Sequence, residues 1–420
     1  MPHKGIRIII ALTGSAMLAC LTSMVVGAYY LEYVPNDQME PAIAWSPGNA
    51  ELWRRSARSK VLSLNDEELT AAATQYREAL KRNPFAALAW QGLASIETRL
   101  GDPKTEEAIL RGWIASVPHS PQAAWALANL LLRQGRTDEA LPHFQQAAAD
   151  EESLRFPLFD LAWKLLDDPR RILRDVVPSD ARSQYDYFRY LVDRRGNLQD
   201  AYSVWRNLQG QLPIAGKFDG TTAALGLTYA EKLAAAGMGE DAARVMDEAV
   251  PPAPASPGSG NVTSGDFELP LQNGGLDWRM VNSAGYQLAL DDFAAASGSR
   301  SLRVEFDGTT NPEFAAVQQW VVVEPNRDYR LTASLKTESI STDSGIYLSL
   351  TNVADLPARV QEAGTKPLVG SSPWTEYSLD FHSGATTQVM LLQLRRRASS
   401  KLNNLLRGTI WLDAVSIHPR

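Results

Sequence analysis

The sequence predicts a multidomain chain of three parts in order: an N-terminal transmembrane helix, an all-α superhelix of repeats and an all-β sandwich. Three observations carry that expectation. No charged residue occurs from Ile8 to Leu31, residues in the middle of the chain match one another at an offset of 34, and after Val250 a Pro/Gly/Ser-rich stretch precedes a change of hydrophobic period from 3.6 to 2. The expected boundaries are 1–33 for a cytoplasmic stub and transmembrane helix, 34–250 for the helical repeats, 251–262 for a linker and 263–420 for the sandwich.

As a helix, Ile8 to Tyr30 would extend roughly 34 Å, enough to cross a bilayer core of about 30 Å. Lys4 and Arg7 precede the stretch and Glu32 follows it. The positive-inside rule then keeps the N-terminus in the cytoplasm, giving a single pass through a bacterial inner membrane with a periplasmic body. Two other fates compete. Val26-Gly27-Ala28 is a small-residue cleavage site behind an apolar region longer than a secretory signal's, and Met17-Leu18-Ala19-Cys20 is similar to a lipidation box followed by further apolar residues. Ala11, Ser15, Ala19, Ser23 and Gly27 fall on one helical face, which would let a second helix approach as a membrane dimer, although small residues are common in such helices.

Composition narrows the function. The 420 residues are 45% apolar and carry a net charge of -7, so large cores are available and no basic face offers itself to nucleic acid. The densest basic cluster, Arg395 to Arg397, reads as a solvated strand end. Cys20 lies within the apolar segment, which leaves the remainder without a thiol nucleophile or a disulfide. The five histidines have no metal-ligand spacing, and no nucleophile elbow, phosphate loop or dinucleotide fingerprint occurs, so no catalytic residue is expected.

At the 34-residue offset Pro84 falls on Pro118, Leu93 on Leu127 and Leu161, Ala94 on Ala128 and Ala162, and Gly101 on Gly135. Ala72, Tyr76 and Ala79 match Ala140, Phe144 and Ala147 at twice that distance. Small residues recur where paired helices cross, because bulk there would push them apart. About six helical pairs are expected between Pro47 and Val250, with Asp167 to Pro178 the least regular. The pattern resembles the tetratricopeptide repeat, which implies a curved superhelix that binds protein partners. By that resemblance the groove-facing positions are Gln91, Ser95 and Thr98, then Trp125, Asn129 and Leu132, then Phe159, Trp163 and Leu166. An apolar stripe of this kind also suits burial against neighbouring helices.

Between Val250 and Asn261 the proline- and glycine-rich text cannot continue a helix. Beyond it, 301–306, 319–323, 329–336, 346–351, 377–381, 388–395 and 409–417 alternate as strands, which implies an antiparallel sandwich. Asp266-Phe267-Glu268, Gly275 to Trp278, Gly298 to Val304, Val323 to Asn326, Trp374 to Tyr377 and Ile410 to Ile417 together resemble jelly-roll carbohydrate-binding modules of the glucan- and xylan-binding kind. The resemblance implies structural roles for Trp278, Trp374 and Trp411, and a structural calcium held by Glu268 and Asp413. Strand alternation places Ile346, Leu348 and Leu350 in the core and turns Tyr347, Ser349 and Thr351 outward beside Gln393, Arg395 and Arg397. Tyr347, Ser349, Gln393 and Arg395, with Trp320 in addition, are the candidate glycan contacts, combining aromatic platforms with hydrogen-bonding groups. The expected function is a membrane-anchored envelope scaffold for assembly or export of a surface polysaccharide. The alternative is an assembly factor that binds protein alone.

Overall fold

The computed structural model describes residues 2–61, 65–209, 211, 222–250, 260–353, 363–402 and 404–420. Most of the expected linker, 251–259, lies outside them. Two compact units divide the chain, Met1–Tyr190 and Leu191–Arg420.

The first unit is helical. It comprises α1 (Pro2–Tyr33), α2 (Glu40–Trp45), α3 (Ala50–Val61), α4 (Asp66–Arg82), α5 (Ala87–Leu100), α6 (Pro103–Ser116), α7 (Pro121–Arg133), α8 (Thr137–Asp150), α9 (Arg155–Leu166), α10 (Pro169–Asp175) and α11 (Ala181–Arg189). Within α1, Ser15–Tyr33 is long and apolar enough to cross a membrane. Local chemistry sets the boundaries of the other helices. Asn65, Asp102, Ser120, Asp168 and Asp180 accept backbone N–H groups as N-caps. Proline occupies the first helical position of α6, α7 and α10, where it sacrifices no hydrogen bond. Gly101 closes α5 at φ 79°, a conformation that a side chain would strain.

Packing follows the small-residue pattern. Ala72, Ala79, Ala128, Ala140 and Ala147 are completely buried between helices, and Tyr76 lies so close to Gly92 that a Cβ there would stand 2.2 Å from the ring. The irregular stretch predicted from Asp167 begins with Asp167 itself in the left-handed region and contains only the short α10. Beyond it the unit closes on a buried ion pair, in which Arg155 reaches Asp186 at 2.7 Å and donates its Nε to the Ala148 carbonyl.

The small-residue face of α1 ends against its own chain. Gly27 is buried, with Asn49 and Ser46 at 3.2 and 3.3 Å from where its Cβ would stand. A second membrane helix could therefore use the stripe only below Gly27.

Among the described residues the second unit carries α12 (Leu198–Gln209), α13 (Thr222–Ala235), α14 (Gly239–Ala249) and ten strands. These are β1 (Arg279–Met280), β2 (Tyr286–Asp291), β3 (Ser301–Asp307), β4 (Phe314–Val322), β5 (Asp328–Ile340), β6 (Tyr347–Asn352), β7 (Ala363–Gly364), β8 (Gly370–His382), β9 (Val389–Arg396) and β10 (Arg407–Pro419). They form two antiparallel sheets in the orders β2-β3-β10-β5-β8 and β1-β4-β9-β6-β7. The apolar core between them includes Trp278, Phe306, Phe314, Leu348, Leu392 and Ile410. Trp278 donates to the Ser264 carbonyl, and Trp411 donates to Asp291 beneath the Lys336 ammonium, so both are structural. Trp374 is half-buried on β8.

Arg396 corrects one expectation. It is fully buried instead of solvated, and its guanidinium donates to the carbonyls of Ser344, Pro312 and Asn404 and to the Thr342 hydroxyl. Burial lowers its pKa. One strand residue thereby fastens three loops, which the run of three arginines did not reveal.

Candidate functional site

The outer face of the β1-β4-β9-β6-β7 sheet is built by register. Gln318, Gln393, Ser349 and Gly364 lie across it in one row, Trp320, Leu391 and Thr351 in the next, and Arg395 pairs with Tyr347 near the other end. The inner partners Leu348, Leu350, Leu392 and Leu394 are fully buried in the core, so the predicted alternation holds.

The face is less open than alternation implies. Ser349 is 0% exposed and Thr351 and Gln393 are buried, as are Val389 and Leu391 beside them. Ser349 therefore does not present its hydroxyl to solvent, and Gln393 donates its amide to Gln318. The Ser349 Oγ and the Trp320 Nε1 are buried with no hydrogen-bond partner among the described residues, a condition that is costly for polar groups.

Part of the cover is helical. α13 and α14 pack on β4. Gly239 donates its backbone N–H to the Gln388 side chain at 3.1 Å, Arg279 pairs with Glu231, and Leu227 and Met246 press on Gly275. At Gly239 a Cβ would stand 2.6 Å from the Gln388 carbonyl oxygen and 3.1 Å from Val389 Cγ2. The last helical pair is thus a layer on the sandwich.

Near Tyr347 the face stays accessible. A cavity of about 320 Å³ is lined by Tyr347, Ser344, Gly345, Gly364, Thr365, Pro367 and Arg397. Arg395, half-buried, lies 3.7 Å from Glu313. A ring, backbone and hydroxyl groups and a guanidinium thus surround a space of sugar-residue size.

The groove positions on the repeats divide. Gln91, Ser95 and Thr98 are exposed on α5. Trp125 is half-buried and meets Phe144 edge-on at 4.9 Å, Asn129 donates to the Trp125 carbonyl within its own helix, and Leu132 is half-buried. Phe159 and Trp163 are buried, Phe159 within a cluster containing Tyr187 and Tyr190. They are core residues and not a partner surface, because α11 packs over them. On another face of α5, Trp90 and Leu93 floor a cavity of about 660 Å³ between α4 and α6, with Arg77, Lys81 and Lys104 among its lining. Nothing in the 34-residue pattern marked that opening.

Glu268 and Asp413 both hold the Gly-Ser loop. Glu268 accepts from the Ser299 N–H and hydroxyl and the Arg300 N–H at 2.7 to 2.9 Å. Asp413 accepts from Ala296, Ser297 and Ala414. Hydrogen bonds from Ser299 lower the Glu268 pKa, whereas burial raises that of Asp413. The donor set suits a hard cation, yet each carboxylate is already compensated by loop donors. Among the described residues no group of three or more His, Cys, Asp or Glu side chains is placed to hold a metal.

A family model described as tetratricopeptide repeat matches residues 64–121, 106–153 and 125–166. No curated protein matches the chain. Among solved structures, MamA is 21% identical, covering 31% of this chain and 78% of its own at a TM-score of 0.27. The CBM22-1 xylan-binding domain of Paenibacillus barcinonensis Xyn10C is 17% identical, covering 39% of this chain and 97% of its own at 0.28. A structure described as "CBM4 structure and function" is 11% identical, covering 38% and 99% at 0.28. Scores this low relate parts of the chain only, and no ligand follows from them. What is established is a chain with tetratricopeptide repeats in its helical part and a two-sheet antiparallel sandwich at its C-terminal end.

Proposed function

We propose that this is a binding protein of the bacterial envelope, anchored in the inner membrane by α1 with its body in the periplasm. Its repeats hold a protein partner and its sandwich contacts a glycan, in support of assembly or export of a surface polysaccharide. The observation that carries the glycan half is the accessible cavity beside Tyr347, where a ring and the Arg397 guanidinium meet on an otherwise covered sheet, with Arg395 opposite Tyr347 on the neighbouring strand. The full chain should retard in affinity electrophoresis through polysaccharide. Tyr347→Ala should weaken that retardation by roughly two- to tenfold, the worth of one lost stacking ring. Arg395→Ala should weaken binding to a uronate or sulfated polymer more than to a neutral one, since a guanidinium pairs bidentately with such groups. Unchanged retardation in both variants overturns the assignment.

The second reading, an assembly factor that binds protein alone, is favoured by the burial of Ser349, Thr351, Gln393 and Leu391. A correctly folded chain that binds no member of a broad glycan panel would select it. A structural calcium at Glu268 and Asp413 belongs to the first reading as a proposal, in which the ion would take over the loop that N–H donors hold here.

A further inference from the structure

If α1 spans the bilayer as proposed above, its depth can be read against the rest of its unit. From Ile8 to Gly27 the rise is about 28 Å, nearly the whole hydrocarbon core, so Gly27 falls at its outer edge. The turn between α2 and α3 packs on that glycine, with Ser46 and Asn49 against it. The body of the protein therefore reaches down to the lipid headgroup level instead of standing off on a stalk.

Exposed aromatic rings lie close to that level. Trp45, immediately before the turn, is 65% exposed, and Tyr29 and Tyr33 are exposed on α1. The next turn is tied to the same place. Trp53 and Arg82 both donate to the Pro47 carbonyl, and the Arg82 guanidinium lies 4.6 Å from the Trp53 ring centroid. Three residues beyond Arg82 comes Phe85, 72% exposed, and then Leu88, 59% exposed in the first turn of α5. In water these side chains gain nothing from their positions.

The following copy of the repeat supplies a control within the sequence. At the 34-residue offset Phe85 becomes His119 and Leu88 becomes Gln122. Both positions are polar in that copy; at twice the offset Leu88 becomes Phe156, which is half-buried and packs on Phe159 and Tyr190. Indole and phenol rings favour the bilayer interface, where a flat ring and a polar edge are both accommodated.

We infer that Trp45, Phe85 and Leu88, with Tyr29 and Tyr33, form a membrane-contacting face that seats the first repeats on the outer leaflet beside the anchor. The contact is apolar, so it needs no anionic lipid. It fixes the orientation of the array relative to the membrane, which a single spanning helix alone would leave free to swivel.

The test uses the full chain with Cys20→Ser, reconstituted in phosphatidylcholine vesicles containing a headgroup nitroxide lipid. An environment-sensitive fluorophore is attached in turn through Phe85→Cys, Leu88→Cys, Val25→Cys and Lys164→Cys. Labels at 85 and 88 should be quenched and blue-shifted while that at 164, exposed on α9, is not. Quenching at 25 with none at 85 or 88 overturns the seating and leaves the anchor standing. No quenching at any site, 25 included, removes the anchor and the seating with it. Equal quenching at 164 overturns the confined face in favour of general adsorption.

Discussion

Gly239→Val should loosen the helical layer from the sandwich, and the size of the effect follows from the contact. A Cβ at 239 would stand 2.6 Å from the Gln388 carbonyl oxygen, which belongs to the backbone and cannot rotate away. Overpacking of this kind costs about 1 to 3 kcal/mol. The hydrogen bond from the Gly239 N–H to the Gln388 side chain at 3.1 Å would be lost as well, which adds about 0.5 to 1.5 kcal/mol. The docked state then loses roughly 1.5 to 4.5 kcal/mol, about a ten- to two-thousandfold shift toward undocking. Val389, buried against Gly239, reports it. In a Cys20→Ser background, Val389→Cys should react with a thiol reagent far faster when Gly239→Val is present, since shortening Val389 leaves the clash with Gln388 in place. Equal labelling rates, with circular dichroism showing both proteins folded, would refute the idea that α14 covers the sheet by this contact. The same variant bears on the ligand: if glycan reaches the row of Ser349 and Trp320, undocking strengthens binding, whereas a site confined to the Tyr347 cavity is unaffected.

Two further outcomes are expected. Ala140→Trp should lower the melting temperature by several degrees, because Ala140 is completely buried where α7 and α8 cross and an indole has no room; an unchanged melting temperature would mean that the repeat alignment misplaces this position. Glu268→Gln should destabilise the sandwich near neutral pH and lose that effect as pH falls. The native pKa of Glu268 lies below the ordinary value, so its carboxylate contributes stability above the unfolded pKa of about 4.3 and surrenders it as the pH drops through the lowered native one. Asp413, raised by burial, runs the opposite way and is untouched by this variant. If calcium occupies the site, adding it raises the melting temperature of the native protein and not of the Glu268→Gln variant; identical pH profiles for the two proteins would show that Glu268 holds nothing.

The sequence carries the parts of this fold that depend on repetition along one element. A 34-residue offset survives because each crossing demands a small side chain at the same place, hence Ala128, Ala140 and Ala147 are legible from spacing alone. Strand alternation is equally local, and each of the expected strands lies on one of β3, β4, β5, β6, β8, β9 and β10, overrunning it by a residue at most. The short β1 and β7, two residues each, have no period to show, and β2 hid because Tyr286-Gln287-Leu288 follows directly on a turn. What stays illegible depends on a second element arriving. Alternation says correctly that Ser349 points away from Leu348, but it cannot say that the outward side is itself covered. Phe159 and Trp163 look like groove residues until α11 is placed over them. Arg396 looks like one of three surface arginines until three loops converge on its guanidinium. The one sequence sign of such a meeting is a glycine where a helix would accept any residue. Gly92 under Tyr76, Gly27 under Asn49 and Gly239 under Gln388 each stand where another segment comes within contact of the backbone. A glycine inside a helix or at its first turn, which costs up to about 1 kcal/mol against alanine, is therefore where a single chain most often betrays a contact that its own periodicity does not encode.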